Sequence, residues 1–152
     1  MNKKLLAALV FVGLTAMSSG AMKPITIIDQ GSFMVGGKTM TALGTYVDNE
    51  PINFAGETLH GDAAYVAYQV PKKHKHNGIV FLHGYGQSGK SWETTPDGRD
   101  GFQNIFLEKG WTTYIVDEPR RGRGGNSTVP ANLTATPQDQ LWFNNFRMGQ
   151  NN

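Results

Sequence analysis

The segment at residues 81–92, Phe-Leu-His-Gly-Tyr-Gly-Gln-Ser-Gly-Lys-Ser-Trp, contains two patterns that point to different chemistry. Residues 84–91 match GxxxxGKS, the loop that wraps backbone N–H groups around phosphates at the start of a helix. In the same segment, an apolar run is followed directly by His83-Gly84. A sharp turn after such a strand can direct a backbone N–H at a carbonyl oxygen under attack. The residues that flank this segment distinguish between nucleotide binding and acyl transfer.

Three features argue against a phosphate loop. Its helix should run for several turns after Lys90-Ser91, but Pro96-Asp97-Gly98 would break it after about one turn. Only residues 91–116 separate Lys90 from Asp117, the acidic strand end that could hold magnesium, which leaves room for little more than one helix. The chain also begins like an exported protein, and exported compartments lack a nucleotide pool. Nucleotide binding is therefore the weaker hypothesis.

Residues 1–21 have the features of a secretory signal. A basic start at Asn2-Lys3-Lys4 precedes the apolar run from Leu5 to Met17, and Ser19-Gly20-Ala21 offers small residues for cleavage. The apolar run is shorter than the roughly 20 residues of a membrane span. We therefore expect a periplasmic or secreted protein without a stable membrane anchor.

Composition narrows the range of partners. The formal charge of +2 disappears when Lys3 and Lys4 leave with the signal, so the mature chain is neutral. A neutral chain has no general attraction for nucleic acid or anionic membranes, and we expect no nucleic-acid partner. The sequence contains no cysteine, so stability has to come from core burial or from a partner.

The first half of the mature chain predicts short strands. We expect a strand pair, Ile25–Asp29 and Ser32–Val35, interrupted at Gln30-Gly31, and then a turn at Gly36-Gly37. Residues 41–59 are expected to form a loop with short edge strands. From Ala63 to Val70, alternating apolar residues predict a further strand.

The second half alternates strands and helices. The apolar run Ile79–Leu82 predicts a strand covered on both faces, and Thr112–Val116 predicts another that ends at Asp117. Two helices are expected. The first covers Arg99–Lys109, with Phe102, Ile105 and Phe106 buried and a stop at Gly110. The second opens at Thr136, after a loop over residues 118–135, with Leu141, Trp142, Phe143 and Phe146 on its apolar side. This order predicts an α/β domain over residues 22–152 with a mostly parallel central sheet and flanking helices.

Three stretches carry a closer resemblance. Residues 83–106, then Val-Asp-Glu-Pro-Arg-Arg-Gly-Arg-Gly-Gly at 116–125, and finally the region 138–149 with Leu-Trp-Phe-Asn-Asn-Phe-Arg, resemble secreted bacterial α/β-hydrolases of the esterase 713 type. The likeness extends over roughly residues 25–149. It implies the N-terminal half of an α/β-hydrolase fold. It also implies a serine hydrolase that acts on a small-molecule carboxylic ester and requires no metal or organic cofactor.

The resemblance assigns roles to the residues of the His-Gly turn. The backbone N–H of Tyr85 would be an oxyanion-hole donor, and Gly84 and Gly86 would let substrate approach the backbone. His83 and Asp117 would be structural residues near the site. The founding esterase has adjacent cysteines where this chain has Tyr85 and Gly86, so no redox property carries over. The backbone donor survives this change because an N–H does not depend on its side chain.

The expected catalytic triad is missing from the sequence. In this fold the triad follows the order Ser, acid, His and starts at G-x-S-x-G, but Ser88, Ser91 and Ser127 each lack the second glycine. No histidine follows His83. We therefore expect the nucleophile, acid and base to lie beyond residue 152, in a longer protein or in one whose gene is truncated, and the 152-residue chain to be inactive. A non-catalytic binding module remains the alternative. A sheet without the elbow strand would leave an unpaired parallel edge, which predicts self-association.

Two charged segments have plain interpretations. His74 and His76 could bind metal, but no further ligand cluster is visible, so a solvated basic turn is favoured and no metal site is expected. The segment Arg120-Arg121-Gly-Arg123 could contact an acidic substrate or RNA. An ion-paired loop near the mouth of a pocket is the simpler interpretation.

Overall fold

The computed structural model describes residues 24–50, 52–130 and 139–146. Its strands and helices, in chain order, are β1 (Ile27–Thr41), β2 (Thr58–Pro71), β3 (Gly78–Leu82), α1 (Phe102–Glu108), β4 (Thr112–Asp117) and α2 (Asp139–Phe146). Short 3₁₀ turns occupy Gly89–Trp92 and Gly122–Gly124. The predicted secretory signal and the predicted helix start at Thr136 lie outside the described residues.

The strands form one mixed sheet in the order β1-β2-β4-β3. The pairs β1/β2 and β2/β4 are antiparallel, whereas β3 and β4 are parallel. The prediction of a mostly parallel sheet is therefore wrong for this part of the chain. The reason is connectivity: only β3 and β4 are joined through a helix, α1, and a helical crossover is what makes neighbouring strands parallel. The α/β character stands, because α1 connects the parallel pair β3 and β4.

Strand β1 is continuous, and the two short strands with a turn at Gly36-Gly37 predicted from the sequence are wrong. It pairs with β2 from Ile27↔Pro71 to Thr41↔Thr58. Gly36 and Gly37 adopt φ values of +70° and +100°, yet the ladder resumes beyond them in the same register. Glycine tolerates positive φ without a Cβ penalty, so the strand passes through a local distortion where the sequence suggested a reversal. The loop predicted for residues 41–59 is present between β1 and β2, but residues 42–50 and 52–57 contain none of the short edge strands expected within it.

The core lies between one face of the sheet and α1. Phe81, Leu107 and Ile115 are at most 7% exposed. Phe81 also contacts Trp92 and Phe106, with ring centroids 5.3 and 5.8 Å apart. These contacts join β3, the 3₁₀ turn and α1, with Trp92 as a packing residue.

Helix α1 is shorter than predicted. It begins at Phe102 instead of Arg99, because residues 94–100 form a small turn closed by a bridge between Thr94 and Asp100. The shift changes the buried side: Leu107 is 2% exposed, whereas Phe102, predicted to be buried, is 53% exposed. The stop at Gly110 is confirmed by its φ of +79° and by its N–H, which donates to the carbonyl of Leu107.

Along β3, the opposite face of the sheet is open within the described residues. Val80 and Leu82 of β3 are 60% and 56% exposed, so the prediction that this strand is covered on both faces is wrong here. In α2, Leu141 and Phe146 are exposed, and the side chains of Trp142 and Phe143 lie outside the described part. Neither helix in the described ranges is long and apolar enough to cross a membrane.

The open edge of β3 predicts self-association. Among the described residues β3 pairs with β4 on one side, and its exposed Val80 and Leu82 add apolar surface beside a row of strand hydrogen-bonding groups. We expect the 152-residue chain to sediment as oligomers. Val80→Lys should shift it toward monomer, because a lysine at a strand edge opposes pairing with a second chain.

Thr45→Lys is the matched control, because it adds the same charge to an exposed position in the loop between β1 and β2. It should leave the distribution unchanged. Sedimentation velocity measures all three proteins, and a stable, monodisperse parent monomer would contradict the prediction.

Candidate functional site

A tight turn follows β3 at the carboxyl end of the parallel strand pair. The N–H of Gln87 donates to the carbonyl oxygen of Gly84 at 3.1 Å, which closes a β-turn around Tyr85 and Gly86. Gly86 has a φ of +74°, as the third position of a type II turn requires. The Tyr85 residue is 78% exposed. The turn therefore presents Tyr85 and its flanking glycines at the open end of the sheet.

His83 connects this turn to the end of β4. It is 7% exposed, and its Nε2 accepts a hydrogen bond of 3.2 Å from the backbone N–H of Glu118. An accepting Nε2 places the ring proton on Nδ1, which donates to the carbonyl oxygen of Gly84 at 2.9 Å. Both ring nitrogens are thus engaged with backbone groups, which fixes β3 and β4 relative to each other.

Asp117, the last residue of β4, is the most densely bonded side chain near the turn. It is 2% exposed. One carboxylate oxygen accepts the backbone N–H of Gly89 at 2.6 Å, and the other accepts the backbone N–H and the Nε of Arg123 at 3.0 and 2.9 Å. Burial alone would raise the pKa of Asp117, but the bonds from Arg123 and Gly89 outweigh it and hold this pKa below its ordinary value.

Backbone approaches the Asp117 carboxylate so closely that two glycines are required. A Cβ on Gly89 would lie 2.4 Å from the Cγ2 atom of Ile115 and 3.1 Å from Asp117 Oδ1. A Cβ on Gly122 would lie 2.6 Å from the Asp117 Cγ atom, and Gly122 has a φ of +43°. Any larger residue at either position would push the donors away from the carboxylate.

The phosphate-loop residues do not form a phosphate loop. Gly89, whose N–H would contact a phosphate in that motif, donates to Asp117 instead. Lys90 Nζ donates to the carbonyl oxygen and the hydroxyl of Thr94 at 2.9 and 2.7 Å. The 3₁₀ turn at Gly89–Trp92 replaces the long helix that a phosphate loop needs. The geometry therefore agrees with the sequence arguments against nucleotide binding.

A second ion pair fastens the loop after β4 to the sheet. Arg120 Nε lies 2.7 Å from Asp62 Oδ1, and the hydroxyl of Thr128 donates to Asp62 Oδ2 at 2.5 Å. The bonds from Arg120 and Thr128 hold the pKa of Asp62 well below its usual range. Asp62 also donates its backbone N–H to the carbonyl of Asn126. Asp62 is not among the residues predicted from the sequence, because a single aspartate near the start of a strand carries no local signal of a partner so far along the chain.

The turn and the loop lie side by side. The guanidinium carbon of Arg121 is 5.9 Å from the centroid of the Tyr85 ring. No serine in the described residues donates its hydroxyl to a histidine; Ser91, for example, donates to Gln87 and to the carbonyl of Ser88. The described residues also contain no group of three His, Cys, Asp or Glu side chains placed to hold a metal ion. The arrangement can orient backbone donors, and it does not bring a nucleophile and a base together.

The hydrogen bonds of Asp117 predict a stability test. Asp117→Asn keeps the side-chain shape but turns an NH₂ group toward N–H donors and leaves Arg123 without its carboxylate partner. We expect a loss of about 2–4 kcal/mol in the free energy of unfolding, measured by urea denaturation at pH 7. Asp97→Asn, which removes an exposed pair with Arg99, is the control and should cost clearly less.

The loss of stability caused by Asp117→Asn depends on pH. Because the folded-state pKa of Asp117 is lowered, its contribution is fully present above the ordinary value of 3.8 and is lost as the pH falls through the folded value. The difference between parent and Asp117→Asn should therefore narrow below about pH 4. A difference that stays constant down to pH 2 would show that the ionised carboxylate is not what stabilises the loop.

Gly122 provides an independent test of the same packing. Gly122→Ala should destabilise the protein more than Gly98→Ala, although both positions have positive φ. At Gly98 a Cβ would meet no atom within 4 Å, so the cost is backbone strain alone, about 1–2 kcal/mol. At Gly122 the clash with the Asp117 carboxyl adds to that strain. Equal shifts in unfolding temperature for the two variants would contradict the close approach.

Two of three comparisons with known proteins find proteins similar to this chain. A search against family models finds no match. A probable secreted lipase, phiG, of a fungal species (strain ATCC 74256) is 39% identical over 76 residues, which covers 42% of this chain and 21% of the lipase. A novel bacterial esterase solved at atomic resolution is 35% identical with a TM-score of 0.59, over 84% of this chain and 36% of the esterase. The chain thus spans about a third of the esterase's length and about a fifth of the lipase's. The resemblance to esterase 713-like α/β-hydrolases is confirmed over the part of these proteins that the chain covers.

Proposed function

We propose that this chain provides the oxyanion-hole side of a serine hydrolase that cleaves carboxylic esters. The observation that carries the proposal is the β-turn at residues 84–87, placed at the carboxyl end of β3 and braced by His83 against β4. Similarity to an esterase and to a lipase supports ester cleavage as the reaction.

In the proposed mechanism the ester carbonyl lies over the turn, where Gly84 and Gly86 leave the backbone accessible. The N–H of Tyr85 donates to the carbonyl oxygen as negative charge develops in the tetrahedral intermediate. One such donor typically stabilises the transition state by about 3–4 kcal/mol. Because the turn is already fixed by His83 and by its own hydrogen bond, little reorganisation is needed when the charge forms.

The nucleophile and base are assigned to a segment outside the 152 residues. His83 cannot accept a proton without losing its bond from Glu118, and both oxygens of Asp117 already accept hydrogen bonds. These two residues therefore act as structural supports in the proposal. A serine from another segment attacks the carbonyl, and a histidine from that segment takes the serine proton and later gives it to the leaving alcohol. The substrates are small-molecule esters, met in the periplasm or outside the cell.

A backbone donor can be tested by proline. Proline suits the second position of a β-turn, so Tyr85→Pro should keep the turn while removing the N–H. The assay uses a longer protein that includes the residues encoded after codon 152. In that protein we expect kcat/KM for a nitrophenyl ester to fall about 10²–10³-fold, mainly through kcat. Tyr85→Ala keeps the N–H and should lose far less. Equal losses in the two variants would remove Tyr85 N–H from the oxyanion hole.

The 152-residue chain is the control for the nucleophile. It should show no ester turnover above a denatured sample, and the downstream coding sequence should contain G-x-S-x-G followed by a late histidine. Turnover by the 152-residue chain that a serine-directed inhibitor abolishes would refute the placement of the nucleophile. A stop codon with no such downstream sequence would favour a non-catalytic binding module.

A further inference from the structure

The loop after β4 carries three arginines, and two of them are committed to carboxylates. Arg120 pairs with Asp62 at 2.7 Å, and Arg123 pairs with Asp117 at 2.9 Å and approaches Glu93 at 3.9 Å. Within the described residues, Arg121 forms no ion pair and its guanidinium forms no hydrogen bond. The arginine whose guanidinium lies beside Tyr85 is therefore the one of the three without a carboxylate partner in this part of the chain.

The backbone of Arg121 is nevertheless held in place. Its N–H donates to the carbonyl of Glu118 at 2.9 Å, and its own carbonyl accepts the N–H of Gly124 at 2.8 Å. Both neighbouring arginines are anchored by their ion pairs. Because its backbone is already fixed, only the side chain of Arg121 has to be ordered when it meets a ligand, which limits the entropy lost on binding.

The position of the guanidinium relates it to the turn. Its central carbon lies 5.9 Å from the centroid of the Tyr85 ring, close to the outer limit of a cation–π contact. A contact at this distance is weak and leaves the planar N–H donors of the guanidinium able to bind a carboxylate in a bidentate fashion. A substrate whose ester carbonyl lies over the turn could therefore place a second, anionic group at Arg121.

We propose that Arg121 binds a substrate carboxylate, so that the site prefers monoesters of short dicarboxylic acids over neutral esters of the same length. The inference rests on the proposed function, because it concerns the same turn. Glu118, in the same loop, is exposed and has no ion-pair partner among the described residues. Its charge opposes an anionic ligand, so the contribution of Arg121 is measured by comparing variants and not by absolute affinity.

The test measures binding and does not require turnover. Ligand-observed NMR titrations of the 152-residue chain would compare monomethyl glutarate, which is anionic at pH 7, with methyl pentanoate, which is neutral. We expect the parent to bind the anionic ester about tenfold more tightly, as one charge-assisted contact allows. Arg121→Gln should abolish this preference, and Arg121→Lys should keep part of it.

Lys109→Gln is the matched control. It removes one positive charge at an exposed position just before β4, at the opposite end of that strand from Arg121, and should leave the preference unchanged. An equal preference in Arg121→Gln and parent would overturn the proposal, as would no preference, or no binding of either ester, in the parent. The proposed function is decided separately by turnover in the longer protein, so the two ideas can fail independently.

Discussion

The buried carboxylate of Asp117 is the constraint on which the arrangement around the turn depends. A carboxylate removed from water is costly unless donors replace its hydration, and here they come from two separate loops. Gly89 belongs to the loop after β3, and Arg123 belongs to the loop after β4. If either loop moved away, the buried carboxylate would lose hydrogen-bond donors that replace its hydration. The two loops are therefore expected to form and unfold together.

This constraint explains why the same residues imitate a phosphate loop. The glycine of Gly89-Lys90-Ser91 is needed because a Cβ would strike Ile115, and its N–H is needed by an internal carboxylate. A loop that binds phosphate and a loop that binds a buried aspartate share one requirement: a backbone N–H must lie close to an anion. Residue spacing reports that requirement but does not identify the anion.

Much of the second half of the fold could be predicted from the sequence, because its signals are local. The strands β3 and β4 and the stop at Gly110 follow from apolar runs and one glycine. What failed depends on contacts across the chain. Gly36-Gly37 has the local pattern of a turn, but β2 pairs with the residues on both sides of it. Asp62 acquires its role through its contacts with Arg120 and Thr128. The antiparallel pair could have been found, since no helix is predicted between β1 and β2.

The position of the turn also ties any catalytic role to the edge of the sheet. His83 follows directly from β3, a five-residue strand that β4 supports on one side within the described residues. The exposed Val80 and Leu82 mark the surface that a further strand or helix could cover. Whatever pairs with β3 would therefore stabilise the sheet and restrict the motion of Tyr85 at the same time. Covering this edge of the sheet and fixing the proposed oxyanion donor would then be one physical event.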